Sequence, residues 1–445
     1  MITDYLKKLK LLRYFVDRNL PLKILYQLFV FLYPKAAWLI SWKNEKAKNW
    51  IRGRKGVFKH LSDYFYLQKK PVIWIHCASL GEFEQGRPIL ESIKQTYPNY
   101  QILLTFFSPS GYEVRKNYPG ADFISYLPMD SSKNAHRFFN IVQPSLILFI
   151  KYEFWHYYCQ EASERKIPLL LASGIFREDQ IFFKWYGTFY RNILHNFSQF
   201  FVQDEKSYLL LKQLGLEQKT IISGDTRFDR VIKIQEEFEA LPIIESFCKN
   251  AVTIVAGSTW TEDDEELDHF INQHPSIKCI IAPHEIEVER LHECKKLYKR
   301  SMLLSEFEQS YIKEENSPSI DPQVLIIDNY GMLTRLYYYA HICLVGGGFG
   351  GDGVHNVLEA AVYGKPIIIG PVYEKYIEAV DLVENGGCIA VENALELEEV
   401  LLQLLDEENP MHTQSAIASK EYVVANAGAT QKILDQIQAN RLLTN

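Results

Sequence analysis

At 445 residues the chain is too long for one comfortable core and points to two domains of ordinary size. Its 47% hydrophobic and 23% charged residues exclude a disordered or low-complexity role. The net charge of −7 is uneven: residues 1–60 carry 14 Lys/Arg against Asp4, Asp17 and Glu45, a surplus of +11 that leaves −18 on the remainder. Seven cysteines lie far apart with no CxxC pair, so neither a disulfide framework nor a zinc site is indicated and a reducing cytoplasm fits best.

The basic segment contains the most membrane-like run of the chain, Ile24 to Trp42, with lysines and arginines on both sides. No small-residue cleavage site follows it. Pro34 and Lys35 fall near its middle, where a charge costs roughly 2.5–3.5 kcal/mol in a spanning helix. An interfacial anchor is therefore expected in preference to a span. Tyr26, Phe29, Phe31, Tyr33, Trp38 and Trp42 with flanking cations suit a helix lying among anionic headgroups.

From Val72 onward apolar strands alternate with helical stretches. Strands are predicted at Val72, in YQILLTFF, at Asp122–Leu127, Ser145–Ile150, Pro168–Ser173 and Gln199–Gln203. A second series begins at Val252 and continues through Ser276–Ala282, Val324–Ile327, His341–Val345 and Pro366–Ile369. This is the pattern of two doubly wound parallel sheets, in which ligand-binding residues follow the strands' carboxyl ends. The strand-end loops of two such domains are expected to meet at a cleft.

Those strand ends carry the candidate chemistry. In HCASLGEFEQG, Ser79 to Gly81 make a sharp turn and Glu82 emerges at the start of a helix, as a dipole-satisfying cap or as a general base. Glu153 in LILFIKYEFWHYY is either a second functional carboxylate or simply the ion-pair partner of a cation such as Lys151. Ser173–Arg177, Arg227 in DTRFD, Ser258 and Thr259, Pro283 and His284, and Asp328–Leu333 put polar groups at most of the other strand ends. The densest site is LVGGGFGGDGVHNVLEAAVYGKPIIIG. There a loop carrying Gly346, Gly347, Gly348, Gly350 and Gly351 leads to a helix predicted from near His355 to Gly364, a place where backbone N–H groups and a helix N-terminus could hold an anion. His355, Asn356 and Glu359 gather in its first turn. No Asp-x-Asp motif lies in a candidate cleft loop, which argues against a metal-dependent sugar transferase.

Taken in order, IHCASLGEFEQGRP, FFSPSGYE, YLPMD, LFIKYEFWHYY, SGIFRED, SGDTRFDRV, AGSTW, APHEI, IDNYGML and VGGGFGGDGVHNVLEAAVYGKPIIIGP resemble the bacterial 3-deoxy-D-manno-octulosonic acid (Kdo) transferases of lipopolysaccharide synthesis, from about Ile51 to Ala390. The resemblance implies a GT-B glycosyltransferase at the cytoplasmic face of the inner membrane. It would move Kdo from CMP-Kdo to a lipid A precursor (lipid IVA), with inversion and with neither metal nor cofactor. No nucleic-acid partner is expected. Glu82 matches the family's catalytic base, and Glu153 matches the second acid of an E-x-E-x-W stretch whose first acid is Lys151 here. CMP-Kdo contacts would fall on Pro283, His284, Tyr330, Gly331, Met332, Asn356, Val357, Leu358 and Glu359, with His355, Arg227 and Ser258 added from their own positions in the loops. The chain departs from the family's Pro-Arg-His at Pro283-His284 and from its Met-Gly-Glu at Tyr330-Gly331-Met332.

The implied division is a membrane-associating segment (1–55), an acceptor-binding Rossmann-like domain (56–226), a linker (227–250), a CMP-Kdo-binding Rossmann-like domain (251–424) and a C-terminal helix (425–445). Two other readings keep much of this pattern: another GT-B enzyme using a UDP-sugar, and a non-catalytic membrane-associated nucleotide-sugar binding protein.

Overall fold

The computed structural model describes residues 22–249, 251–313, 321–406 and 408–443. The basic residues before 22 lie outside this set. The chain divides into two compact units, one of residues up to Arg230 together with those from Gly428 onward, the other Val231–Ala427.

The first unit holds a seven-stranded, wholly parallel sheet: β1 Val72–Cys77, β2 Gln101–Phe106, β3 Phe123–Tyr126, β4 Pro144–Ile150, β5 Leu169–Gly174, β6 Gln199–Val202 and β7 Thr220–Ile222, in the order β3-β2-β1-β4-β5-β6-β7. Its central strands are mostly apolar and almost wholly buried because both faces are covered, and the two-residue side-chain period assigns each residue to a face. Trp74, Leu103, Ile147, Phe149 and Leu171 point to one core with Leu61, Phe138 and Tyr158. Ile73, Ile75, Leu104, Leu148 and Ile150 point to the other, with Phe83, Ile89 and Ile93 from the helix Leu80–Thr96 and Ile433 and Ile437 from the terminal helix Ala429–Ala439. Asp229 seats that last helix by accepting the N–H groups of Gly428 and Thr430, each at 2.6 Å.

The second unit repeats the scheme with β8 Thr253–Thr259, β9 Lys278–Pro283, β10 Ser301–Leu303, β11 Val324–Ile326, β12 Ile342–Val345, β13 Ile367–Ile369 and β14 Cys388–Ala390, all parallel, in the order β10-β11-β9-β8-β12-β13-β14. Strand order reverses between β1 and β4 in the first sheet and between β8 and β12 in the second. The loops leaving those strands part to opposite faces and open a crevice, so these four strand ends are where a ligand fits.

A helix over residues 22–40 packs on the first core by its inner face, burying Tyr26 and Val30. Its outer face bears Leu25, Leu28, Leu32 and Leu39, all exposed, and Trp42 just beyond it is 81% exposed. Among the described residues no helix is long and apolar enough to cross a membrane.

Candidate active site

In the first unit the loops after β1 and β4 build one cluster. The helix Leu80–Thr96 starts at Ser79, and Glu82 turns back on that start: Glu82 Oε2 accepts the Ser79 backbone N–H at 2.9 Å and also bonds the Ser79 hydroxyl. The capping role is thus realised, and it fixes the carboxylate's orientation at the end of β1.

Glu153 sits in the turn after β4. Its partner is not Lys151, as charge proximity suggested, but two nitrogen donors: His76 Nε2 lies 3.0 Å from Glu153 Oε2, and Trp155 Nε1 donates to the same oxygen. Lys151 has a left-handed backbone, with φ 68°, an uncommon conformation for a residue with a Cβ, and its Nζ lies 5.3 Å from the centre of the Tyr152 ring. His76 is wholly buried. Its Nδ1 lies 2.8 Å from Thr105 Oγ1, which receives Trp74 Nε1–H at 2.7 Å. The same Nδ1 lies 3.1 Å from the Thr105 carbonyl O, which can only accept, so Thr105 and Glu153 hold the ring at both of its nitrogens.

Both carboxylates act on the buried Cys77 side chain. The Cys77 thiol is pushed well up, first by burial and then by the charges of Glu82, Glu153 and Glu84. The Tyr152 hydroxyl, raised chiefly by burial, feels Arg177 and Arg227 against Glu82 and Asp204. Arg227 is therefore in the first unit, near Tyr152, with its Nε 2.8 Å from Asp225 Oδ2.

In the second unit the loops after β8, β9 and β12 meet in an aromatic stack. The His284 and His355 rings lie face to face, 4.3 Å apart at 14°. Trp260 packs on His284 at 4.8 Å and donates Nε1–H to His355 Nε2 at 3.1 Å. That bond leaves the His355 ring proton on Nδ1. Burial first, then the neighbouring His284, lowers the His355 pKa to about 4, so it is a neutral donor at physiological pH and not a cation. Pro283 ends β9, and the His284 N–H bonds Thr259 O at 3.0 Å.

The glycine loop differs from the sequence expectation in two respects. The helix after it is a single turn, Leu358–Ala361, and not one beginning near His355, so little dipole is available to an anion. Residues 355–357 instead make a turn closed by the Asn356 side chain, whose Oδ1 accepts the Leu358 N–H at 3.3 Å. In addition, Asp263, fully buried, takes the N–H groups of Trp260 and Gly347 at 2.8 Å each and that of Phe349 at 3.4 Å. An internal carboxylate thus occupies donors that a phosphate would otherwise receive. Burial raises its pKa while these N–H groups oppose the rise.

Glu359 accepts Thr334 Oγ1–H at 2.7 Å and Asn356 Nδ2–H at 3.0 Å, which aims its carboxylate. Thr334 belongs to the short helix Leu333–Leu336, so it ties the exposed turn Tyr330–Gly331 and the half-buried Met332 before it to Glu359. Val357 and Leu358 are fully buried, so their side chains serve the core and only their backbone could meet a ligand. Ser258 sits in the irregular end of β8 with φ 56°. Among the described residues no three His, Cys, Asp or Glu side chains group as metal ligands.

Residues 51–230 match the family described as 3-deoxy-D-manno-octulosonic-acid transferase (kdotransferase). The chain is 28% identical to the 3-deoxy-D-manno-octulosonic acid transferase of Rickettsia felis, over 82% of this chain and 78% of that one. It is 27% identical to the enzyme of the same name from Haemophilus influenzae, over 82% and 86%. Residues 51–230 thus carry a Kdo transferase domain, and the chain is similar to Kdo transferases over most of its length. It is accordingly a glycosyltransferase, and its two parallel-sheet units are of the GT-B type. The fold is shared with UDP-GlcNAc 2-epimerase from Neisseria meningitidis, with a TM-score of 0.58 at 15% identity over 83% of this chain and all of that one. It is also shared with MurG from Acinetobacter baumannii, with a TM-score of 0.51 at 11% identity over 83% and 100%.

Sequence reasoning did not single out His76, Tyr152, Thr334, Trp260 or Asp263 as site residues. Trp260 and Asp263 stand one and four residues past Thr259, so the rule of searching beyond strand ends could have found them. The side-chain contacts of His76 and Thr334 span 77 and 25 residues, which no local pattern encodes.

Proposed function

We propose that the chain moves Kdo from CMP-Kdo to a lipid A precursor at the cytoplasmic face of the inner membrane, with inversion and without a metal. The observation that carries this reading is the pair Glu82 and Glu153 at the ends of the adjacent strands β1 and β4, in the same unit as an amphipathic helix with an exposed apolar face. Glu82 takes the proton of a glucosamine hydroxyl through the carboxylate that Ser79 holds in place. The freed oxygen forms the new bond to the anomeric carbon of Kdo as the bond from that carbon to the phosphate oxygen breaks, and CMP leaves with the electron pair.

On the second unit, Glu359 receives ribose hydroxyls, and His284, His355 and Asn356 act as donors to the phosphate or present flat faces to the base. Side chains do this work because the helix beyond the glycine loop is only one turn long. The helix over 22–40 brings the first unit to the lipid, where each basic residue near an anionic surface adds about 1 kcal/mol.

The test is transfer from enzymatically generated CMP-Kdo to a tetraacylated lipid A precursor, comparing the wild type with Glu82→Gln. Product from the wild type and almost none from a folded variant supports reaction and base together. Equal product from both removes Glu82 as the base, and failure to bind CMP-Kdo removes the donor.

A further inference from the structure

The turn that carries Glu153 runs straight into the helix His156–Glu164, and that helix is capped from outside. Its own N-cap residue, Trp155, supplies no side-chain cap bond. The first-turn donors go elsewhere: the N–H groups of Tyr157 and Tyr158 reach Asp130 at 3.0 and 3.1 Å, and the His156 N–H reaches the Tyr26 hydroxyl at 3.2 Å. Tyr26 in turn donates to Asp130, which is 1% exposed. Three N–H groups that a helix start would leave without partners are thus satisfied by a residue after β3 and by a tyrosine of the lipid-facing helix.

A second link joins the same two places. Tyr33 packs on Phe107 with ring centres 5.7 Å apart, and Phe107 lies 4.8 Å from Trp155, the residue whose indole holds Glu153. At its other end the Glu153 turn is fixed to the sheet by the Lys151 N–H bonding Ala172 O at 2.9 Å, through a left-handed residue that would relax if the far end were released. The helix that exposes Leu25, Leu28 and Leu32 outward therefore sends Tyr26 inward to the one support that the Glu153 turn lacks in its own sequence.

We propose that Tyr26, acting through Asp130, is a positioning residue for Glu153, so that the helix meant for the lipid surface also sets the geometry of the reacting centre. This rests on the reading of Glu153 as part of that centre. The chemistry requires only that a carboxylate be held to a fraction of an ångström, and a displacement of about 1 Å from a remote change can cost on the order of 100-fold in rate.

The experiment is a double-mutant cycle on the full chain with Tyr26→Phe, Glu153→Gln and the pair, measuring kcat and KM for transfer to the tetraacylated lipid A precursor. Binding to vesicles of anionic phospholipid and thermal unfolding are followed beside it. Tyr26→Phe keeps the ring and its packing and removes only the hydroxyl. Expected are a fall in kcat of roughly tenfold or more with KM and vesicle binding within twofold of wild type, and no additional fall from Tyr26→Phe once Glu153 is glutamine. Equal factors from Tyr26→Phe in both backgrounds would overturn the proposal, since Tyr26 would then act independently of Glu153. So would a loss expressed wholly in KM and vesicle binding, which would make the residue a part of lipid attachment alone. Wild-type turnover from Glu153→Gln would instead overturn the reading of Glu153 itself, and the two failures are told apart by which single variant is silent.

Discussion

Glu82 and Ser79 are locked together at the end of β1: one carboxylate oxygen receives both the Ser79 backbone N–H, at 2.9 Å, and the Ser79 hydroxyl. The same side chain is thus a helix cap and the proposed base, and the two roles separate on substitution. Glu82→Gln keeps an acceptor for the Ser79 N–H and leaves unfolding within about 0.5 kcal/mol of wild type, because glutamine also serves at this capping position. Transfer should fall by about 10²–10⁴. Ser79→Ala does the reverse in emphasis, costing about 0.5–2 kcal/mol of stability as a cap is lost with a smaller drop in rate. Urea unfolding and the transfer assay, run on both variants, check the split.

The glycine loop makes a different kind of prediction, because its glycines are not equivalent. A Cβ on Gly348 would stand 2.6 Å from Gly370 N and 2.8 Å from Gly370 Cα, both backbone atoms at the end of β13 that cannot step aside. Gly351 has open space around its Cβ position. Gly348→Ala is therefore expected to cost about 1–3 kcal/mol by overpacking and to weaken CMP binding, whereas Gly351→Ala leaves both within error. Denaturation midpoints and calorimetric titration with CMP measure the contrast. Equal behaviour of the two variants would mean that the loop does not pack as described.

On the first unit, the outward face of the helix over 22–40 should bind lipid without contributing to the fold. Leu28 and Leu32 are 47% and 46% exposed, so Leu28→Asp with Leu32→Asp removes apolar contact area and adds charge at little cost to the core. Co-sedimentation with anionic vesicles should drop at least tenfold while the thermal midpoint moves by no more than a few degrees. Binding of the wild type should also weaken as salt rises, since part of it is electrostatic. Unchanged sedimentation would remove this helix as the lipid-binding element.

Much of this architecture was legible, and the parts that were not share a physical cause. Strands such as Val72–Cys77 and Pro144–Ile150 are covered on both faces and announce themselves as apolar runs. The three unforeseen strands, Thr220–Ile222, Ser301–Leu303 and Cys388–Ala390, are three-residue edges, made by pairing with a neighbour and not by their own pattern. At the sites, the positions of Glu82, Glu153 and His355 past strand ends were readable because topology fixes where loops open. Their partners were not: Lys151 sits two residues from Glu153, yet the donors on that carboxylate are Trp155 and His76, which arrives from another strand. The helix predicted from near His355 fails because Asn356 closes a turn there and Asp263 draws the preceding loop inward, a tertiary demand overriding local helix propensity.

Beside Tyr26 two buried groups titrate in opposite senses. Burial raises the Asp130 pKa to about 6 from 3.8, against the opposing hydrogen bonds of Tyr26 and the Tyr157 and Tyr158 N–H groups. Burial, assisted by Lys23, lowers the His156 pKa to about 4 from 6.5. Between pH 4 and 6 the folded chain holds a proton on Asp130 that the unfolded chain has released, so that contribution to stability is present at low pH and is lost as pH rises through about 6. Over the same range the unfolded chain binds a proton at His156 that the folded chain refuses, so that contribution is present above about 6.5 and is lost as pH falls toward 4. In the wild type the two slopes largely cancel. Both ring nitrogens of His156 are buried with no protein partner among the described residues, and its ring packs on Tyr26, Tyr157 and Phe189. His156→Phe keeps that packing and removes the unpaired nitrogens, so at pH 7 the variant should be as stable as the wild type or more so by about 1 kcal/mol. As pH falls from 6 to 4 its melting temperature should rise relative to the wild type, because the Asp130 slope is no longer opposed. Parallel melting curves for the two proteins across that range would mean that His156 does not titrate as its burial requires.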